Sequence, residues 1–298
     1  GTYNDQLAQD AVGDCKSCEV GKYQEQTGQN ACKVCPTGTY LEQTGQDEAA
    51  DCKPCYLGFY NDQTAQDAAD DCKQCPGGKY NDQQAQGACK SCVAGQYLDL
   101  EAQTAEWRCK HCSLGQYGDQ AGQPACKHCP EGKYQPVLYY VTVCTDCGTG
   151  KYNNQIAQSI CTACHGGMYN GDVGAITCKS CPVGKYTLEG RQHTECKDCG
   201  TGKYLDLEAQ TAESACKDCG AGKYQATAAQ AACIDCAQGT YQDVAAQAAC
   251  IACVSGRYNN QTGQTEANAC YPCGTGKYLG QEAQTAESAC IACGTGKY

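Results

Sequence analysis

Thirty-two of the 298 residues are cysteines, and every one falls into a C-x-x-C pair. The pairs begin at Cys15, Cys32, Cys52, Cys72, Cys89, Cys109, Cys126, Cys144, Cys161, Cys178, Cys196, Cys216, Cys233, Cys250, Cys270 and Cys290. Thiols at this spacing can cycle as a redox dithiol, hold zinc together with a second pair, attach haem, or supply halves of structural disulfides. A redox site needs one such pair, and sixteen are present. Zinc would consume the pairs two at a time and impose alternating intervals, but successive pairs start 17, 18 or 20 residues apart with no such doubling. Haem attachment is matched only by Cys161 to His165, and four histidines cannot supply axial ligands for an array. Joining the second cysteine of each pair to the first of the next gives the chemistry the period of the sequence. That scheme links Cys18 to Cys32, Cys35 to Cys52, Cys55 to Cys72, Cys75 to Cys89, Cys92 to Cys109, Cys112 to Cys126, Cys129 to Cys144 and Cys147 to Cys161. It continues with Cys164 to Cys178, Cys181 to Cys196, Cys199 to Cys216, Cys219 to Cys233, Cys236 to Cys250, Cys253 to Cys270 and Cys273 to Cys290. Spacing favours this scheme over zinc and redox chemistry without fixing the connectivity.

The elements that must position these sulfurs repeat with them. Every pair is followed by x-x-Gly-x-Tyr, and the chain also opens on Gly1-Thr2-Tyr3, so residues 1–298 read as one continuous array of sixteen repeats of 17 to 20 residues. Both ends stop in the same phase, as an excerpt of a longer array would, with Cys15 and Cys293 left for neighbouring repeats. The glycine is expected in a positive-φ turn, with the tyrosine entering a short strand as the miniature core of its loop. Gln stands six residues after the tyrosine in fourteen repeats, Tyr140 and Ala175 being the exceptions, and is expected to clamp turn backbone. Residues 135–143 read as the most apolar short strand, marking a lateral contact or a defect.

Leu, Ile, Val and Phe together make up about a tenth of the chain, too little for a conventional core, so cross-links must substitute for one. The expected fold is a set of small disulfide-rich hairpin and turn modules stacked, solenoid-like, into an elongated rod with little helix and no large core. Each module should contact mainly its neighbours. The formal charge of −11 argues against nucleic acid and anionic lipid as partners. No apolar run reaches the roughly 18 residues of a membrane span, so no direct membrane insertion is expected in this segment. His111, His128, His165 and His193 sit at unrelated phases, no triad recurs, and neither cofactor nor metal is called for. Acidic residues recur two positions after the tyrosine, as at Asp5, Glu25, Glu42, Asp62, Asp82, Asp99 and Asp119. With the periodic lysines they read as a solvated ridge in preference to a calcium ladder. Asn260-Gln261-Thr262 is the one N-x-S/T sequon, a candidate N-glycosylation site at Asn260, and Thr27, Thr44, Thr64 and Thr262 are candidate O-glycan carriers.

The string Cys32-Lys33-Val34-Cys35-Pro36-Thr37-Gly38-Thr39-Tyr40, repeated in type from Cys178 to Tyr186, resembles the ephrin-receptor-like cysteine-rich repeat. It is similar also to the first module of tumour-necrosis-factor-receptor cysteine-rich domains. The resemblance covers the whole chain and implies an extracellular, cell-surface, non-catalytic array. Pro follows the second cysteine only at Pro36, Pro76, Pro130 and Pro182, and the further modules of death receptors are absent, so cytokine binding is not implied. The expectation is a structural rod or filament subunit that self-associates or meets other surface proteins. The alternative is a receptor or adhesin ectodomain that binds a protein or glycan.

Overall fold

The computed structural model describes residues 1–296; Lys297 and Tyr298 of the final Gly-x-Tyr lie outside the described residues. Among the described residues there are sixteen two-stranded sheets and no α-helix. In the second repeat, Lys22–Tyr23 pairs antiparallel with Lys33–Val34, in the register Lys22 with Val34 and Tyr23 with Lys33. The turn that launches each hairpin explains the glycine. Lys22 N–H donates to the Glu19 carbonyl at 3.1 Å and Gly21, the turn's third residue, has φ +75°, the conformation a type II turn demands there. The amide of the second cysteine closes the hairpin, Cys35 N–H donating to the Gly21 carbonyl at 2.9 Å. Strands of two residues cannot persist alone, so the stability of each hairpin comes from what joins it to others.

Loop length then selects local structure. Where the first cysteine lies twelve residues after the tyrosine, the three residues before it form one 3-10 turn: Val12–Asp14, Ala49–Asp51, Ala69–Asp71, Glu106–Arg108, Glu213–Ala215, Ala267–Ala269 and Glu287–Ala289. Shorter loops are closed in several repeats by a glutamine directly after the tyrosine. Gln24, Gln225 and Gln242 donate from Nε2 to the carbonyls of Ala31, Ala232 and Ala249 at 2.6, 2.7 and 2.7 Å, in each case the residue before the cysteine. Residues 135–143, expected as a strand, form none. The loop, at nine residues, is one longer than the shortest type, such as 24–31, and the extra residue is absorbed by a bend in which Tyr140 takes φ +53°.

Contacts divide the chain into two units. Gly1–Thr145 with Gln155–Ile160 form one, and Asp146–Asn154 with the chain from Cys161 onward form the other. The first contains two small apolar clusters, Tyr80 with Cys92, Leu98 and Cys109, and Cys35 with Leu41 and Cys52 beside Tyr23. The second contains the equivalent cluster of Tyr186, Cys199, Leu205 and Cys216, with Ala215 against it. Each cluster is a disulfide, the residue that follows a tyrosine, and the tyrosine of the preceding repeat. Tyrosine is therefore only part of the miniature core. Tyr40, Tyr80 and Tyr186 are buried, whereas Tyr278 is exposed. The more consistently buried position is the one after it, held by Leu41, Asn61, Asn81, Leu98, Asn170, Thr187, Leu205 and Asn259.

Candidate functional site: the disulfide ladder and its lateral bonds

Fifteen disulfides join the second cysteine of one repeat to the first of the next, from Cys18–Cys32 through Cys147–Cys161 and Cys164–Cys178 to Cys273–Cys290. Their Cα atoms lie 5.6–5.8 Å apart, inside the range a disulfide accepts without backbone movement. Cys161 and Cys164, the pair that matches a haem motif, are bonded to Cys147 and Cys178. Cys15 and Cys293 are exposed thiols.

Hydrogen bonds add two further tiers. The first runs between adjacent repeats: Gly21 N–H donates to the Leu41 carbonyl at 2.8 Å, and Gln24 N–H to the Gln46 carbonyl at 3.1 Å. The backbone of the recurrent glutamine, and not only its amide, is thus the useful part. Its side chain stays in its own turn, as where Gln66 Nε2 donates to the Thr64 carbonyl at 3.1 Å. The second tier corrects the expectation that each repeat meets mainly its neighbours, because it reaches the next repeat but one. Ala65 N–H donates to the Cys35 carbonyl at 2.9 Å, and in the second unit Ala229 N–H to that of Cys199 at 2.9 Å. These donors stand five residues after a tyrosine and hold φ +58° and +60°, a left-handed conformation that costs an alanine about 1–3 kcal/mol unless its surroundings enforce it. The acceptor cysteine is the enforcement.

The same contact fixes the glycine a second time. A Cβ on Gly21 would strike the carbonyl of Ala65, and one on Gly184 that of Ala229. Positive φ and direct backbone apposition both exclude a side chain. In the repeat containing Gln192, the longer loop shifts this scheme by one residue. Gln192 counts as the recurrent glutamine but takes the alanine's part, with φ +69° and a 2.8 Å bond to the Cys164 carbonyl. His193 then accepts from Asn170 N–H at 3.0 Å where other repeats use glutamine.

The position after the tyrosine, which the sequence reading passed over, clamps repeats from within. Asn81 Nδ2 donates to the Phe59 carbonyl of the preceding repeat at 2.7 Å, Asn170 to that of Lys151 at 2.7 Å, and Asn259 to that of Thr240 at 2.9 Å. A signal for it was present, because this position never carries a charge in any of the sixteen repeats.

Outside the ladder, the acidic ridge and the periodic lysines resolve into cross-strand ion pairs. Lys16 meets Asp5, Lys53 meets Glu42, Lys73 meets Asp62, and Lys110 meets Asp99, at 2.8–2.9 Å; Lys33 meets Glu25 likewise. The Lys110 ammonium holds the Asp99 carboxyl below its usual range through their hydrogen bond, and Lys110 is raised in turn. All are solvent-exposed, so they specify the surface more than they stabilise it. Burial pushes the phenols of Tyr80 and Tyr186 up, with Glu106 and Glu213 adding to it. His111 stands edge-on to Tyr139 and Tyr140, with ring centroids 4.9 and 4.7 Å away. Asn260 and Thr262 are both exposed.

In the second unit, the lysine position after the first cysteine turns apolar in four consecutive repeats. Ile234, Ile251, Tyr271 and Ile291 occupy it, all exposed. Ile251 also lines a groove of about 390 Å³ with Tyr241, Val254, Arg257 and Ala267.

These tiers define a tandem array of disulfide-stitched hairpins, the architecture of a cysteine-rich ectodomain. The family model described as tyrosine-protein kinase ephrin type A/B receptor-like matches residues 1–52, 95–138 and 222–270, just under half of the chain. The matched segments are cysteine-rich repeats of the ephrin-receptor-like type, and the same tandem disulfide pattern runs through the rest of the chain. Repeats of this type are ectodomain modules, and the fifteen tandem disulfides agree with an extracellular setting. No curated protein matches the sequence. Among the described residues, no helix is long and apolar enough to cross a membrane.

Proposed function

We propose that residues 1–298 act as one array, a structural ectodomain that carries tension as a spacer or filament subunit at a cell surface. The observation that carries this reading is the covalent path through the ladder. Tension entering at Cys18 crosses to Cys32, runs three residues to Cys35, crosses to Cys52, and continues in the same way to Cys290. Every loop lies outside that path, so pulling on the array loads disulfides and three-residue links while the hairpins bear little. No side chain in this scheme does chemistry; the cysteines act as structural links and the turns as spacers between them.

A second reading, a receptor or adhesin that binds a protein or glycan, is favoured by one feature, the run of exposed apolar positions Ile234, Ile251, Tyr271 and Ile291, of which Ile251 also lines the groove with Val254. Electron micrographs of the secreted, oxidised chain separate the two. A filament subunit gives recurrent end-to-end or lateral contacts between particles. Solitary particles at every concentration tested would remove the filament reading and leave the receptor one.

A further inference from the structure

We infer that Asn260 carries an N-linked glycan whose first sugar lies against the ring of Tyr271; the inference rests on the extracellular reading above. In the first seven repeats, the position two residues after the tyrosine is acidic and the residue after the first cysteine is lysine, and the two side chains touch, as where Lys110 Nζ meets Asp99 Oδ1 at 2.9 Å. These two positions are therefore neighbours on the surface of a hairpin. In the fifteenth repeat both have changed together, the acid to Asn260 and the lysine to Tyr271. The acid is also missing at Ala226 and Gly280 and the lysine at Ile234, Ile251 and Ile291, but only the fifteenth repeat puts an acceptor amide and an aromatic ring at the two positions.

The backbone at this point is pinned while the side chain is free to be modified. Gln238 Nε2 donates to the Asn260 carbonyl at 2.9 Å, and Gln261 N–H donates to Asn259 Oδ1 at 2.9 Å. Asn260, Gln261 and Thr262 are all exposed, so the sequon can enter a transferase site without unfolding the ladder. Tyr271 is 46% exposed and its ring stands 6.0 Å from that of Tyr258, tilted by 45°. A pyranose has an apolar face of axial C–H groups, and an exposed tyrosine presents a flat surface of matching size with its hydroxyl left in water. The Asn154-Gln155-Ile156 segment, in the same phase of the ninth repeat, has the asparagine but lacks the hydroxyl residue.

The donor is a lipid-pyrophosphate-linked oligosaccharide of the secretory pathway. Asn260 Nδ2 forms a bond to the anomeric carbon of the first sugar, and that carbon's bond to the pyrophosphate oxygen breaks. The amide loses one proton to the transferase base, and the lipid pyrophosphate leaves with the bonding electrons. No redox change occurs.

The test is secretion of the full chain from cultured animal cells behind a cleavable leader, followed by glycopeptide mapping without reduction. The wild type and Thr262→Ser are expected to carry sugar on Asn260; Asn260→Gln and Thr262→Ala are not. Tyr271→Lys restores the residue found in the first seven repeats and keeps the fold. It should retain the glycan, yet lose it about two- to tenfold faster to a glycoamidase acting on the native protein, the range expected for loss of one aromatic contact. A secreted chain with its disulfides formed and Asn260 bare overturns the glycan and leaves the extracellular reading standing. Failure of the disulfides to form in the secretory pathway overturns that reading itself. Equal release rates in the wild type and Tyr271→Lys overturn the sugar's contact with Tyr271.

Discussion

Mechanical extension of the oxidised chain, compared with the reduced one, follows directly from the ladder. The ~270 residues between Cys18 and Cys290 reach about 900 Å when fully extended at ~3.4 Å per residue. With the bridges intact, the loaded path consists of fifteen crossings of 5.6–5.8 Å, alternating with C-x-x-C links. At ~10 Å per link, that path is limited to about 230 Å. Single-molecule pulling from handles attached beside Cys18 and Cys290 should therefore stop near a quarter of the reduced contour length, even after every hairpin has opened. Adding reductant under load should lengthen the tether in discrete steps. Bridges that span 14 or 15 residues, such as Cys18–Cys32 and Cys129–Cys144, hide about 40 Å each, and those that span 17, such as Cys35–Cys52, hide about 50 Å. Extension toward 900 Å without reductant would refute the scheme. So would steps near twice these sizes, which require pairing between repeats that are not adjacent.

Three further perturbations test the tiers beneath the bridges. Gly21→Ala adds both left-handed strain and a collision with the Ala65 carbonyl. It should open that contact by about 3 kcal/mol, read as roughly a hundredfold loss of hydrogen-exchange protection at the Ala65 amide. Gly28→Ala, at φ +72° but in open space, should cost no more than about 1–2 kcal/mol. Gln225→Ala strands the Ala232 carbonyl and should lower local stability by about 1–3 kcal/mol in the same measurement. The exposed ion pairs give a pH signature of known sign. The carboxyl of Asp99 titrates below its ordinary 3.8 when folded, so its contribution is present above that value and fades as pH falls through the folded one. Lys110 titrates above 10.5, so its contribution fades only as pH rises past that. Asp99→Asn should remove this small contribution, lowering the thermal midpoint at neutral pH only slightly and by less as salt is added, since an exposed pair is screened.

The hairpin class was legible because Gly, Tyr and the cysteines keep one phase over the whole chain, and a glycine three residues after a cysteine has a definite conformational meaning. The contact between a repeat and its second neighbour was not legible. It is made by the backbone amides of Ala65 and Ala229 and by cysteine carbonyls, and an alanine at positive φ leaves no trace in residue type. Gln192 shows the limit of counting. Its interval from the tyrosine is that of the other glutamines, but the longer loop moves it into the alanine's place. Hydrophobicity misled at residues 135–143 for a related reason, because no neighbouring strand is placed to pair with them and the loop's extra residue bends the chain at Tyr140. The buried position after the tyrosine was written in the sequence as an absence of charge, but amides such as Asn81 and Asn170 do not announce burial.

Peptide mapping of the unreduced chain, with free thiols blocked before digestion, decides whether the bridges run between successive repeats. Peptides that join Cys18 to Cys32, Cys35 to Cys52 and so on to Cys273 with Cys290 are expected. Bridges inside single C-x-x-C pairs, or unbridged thiols retaining a metal, would contradict that pairing.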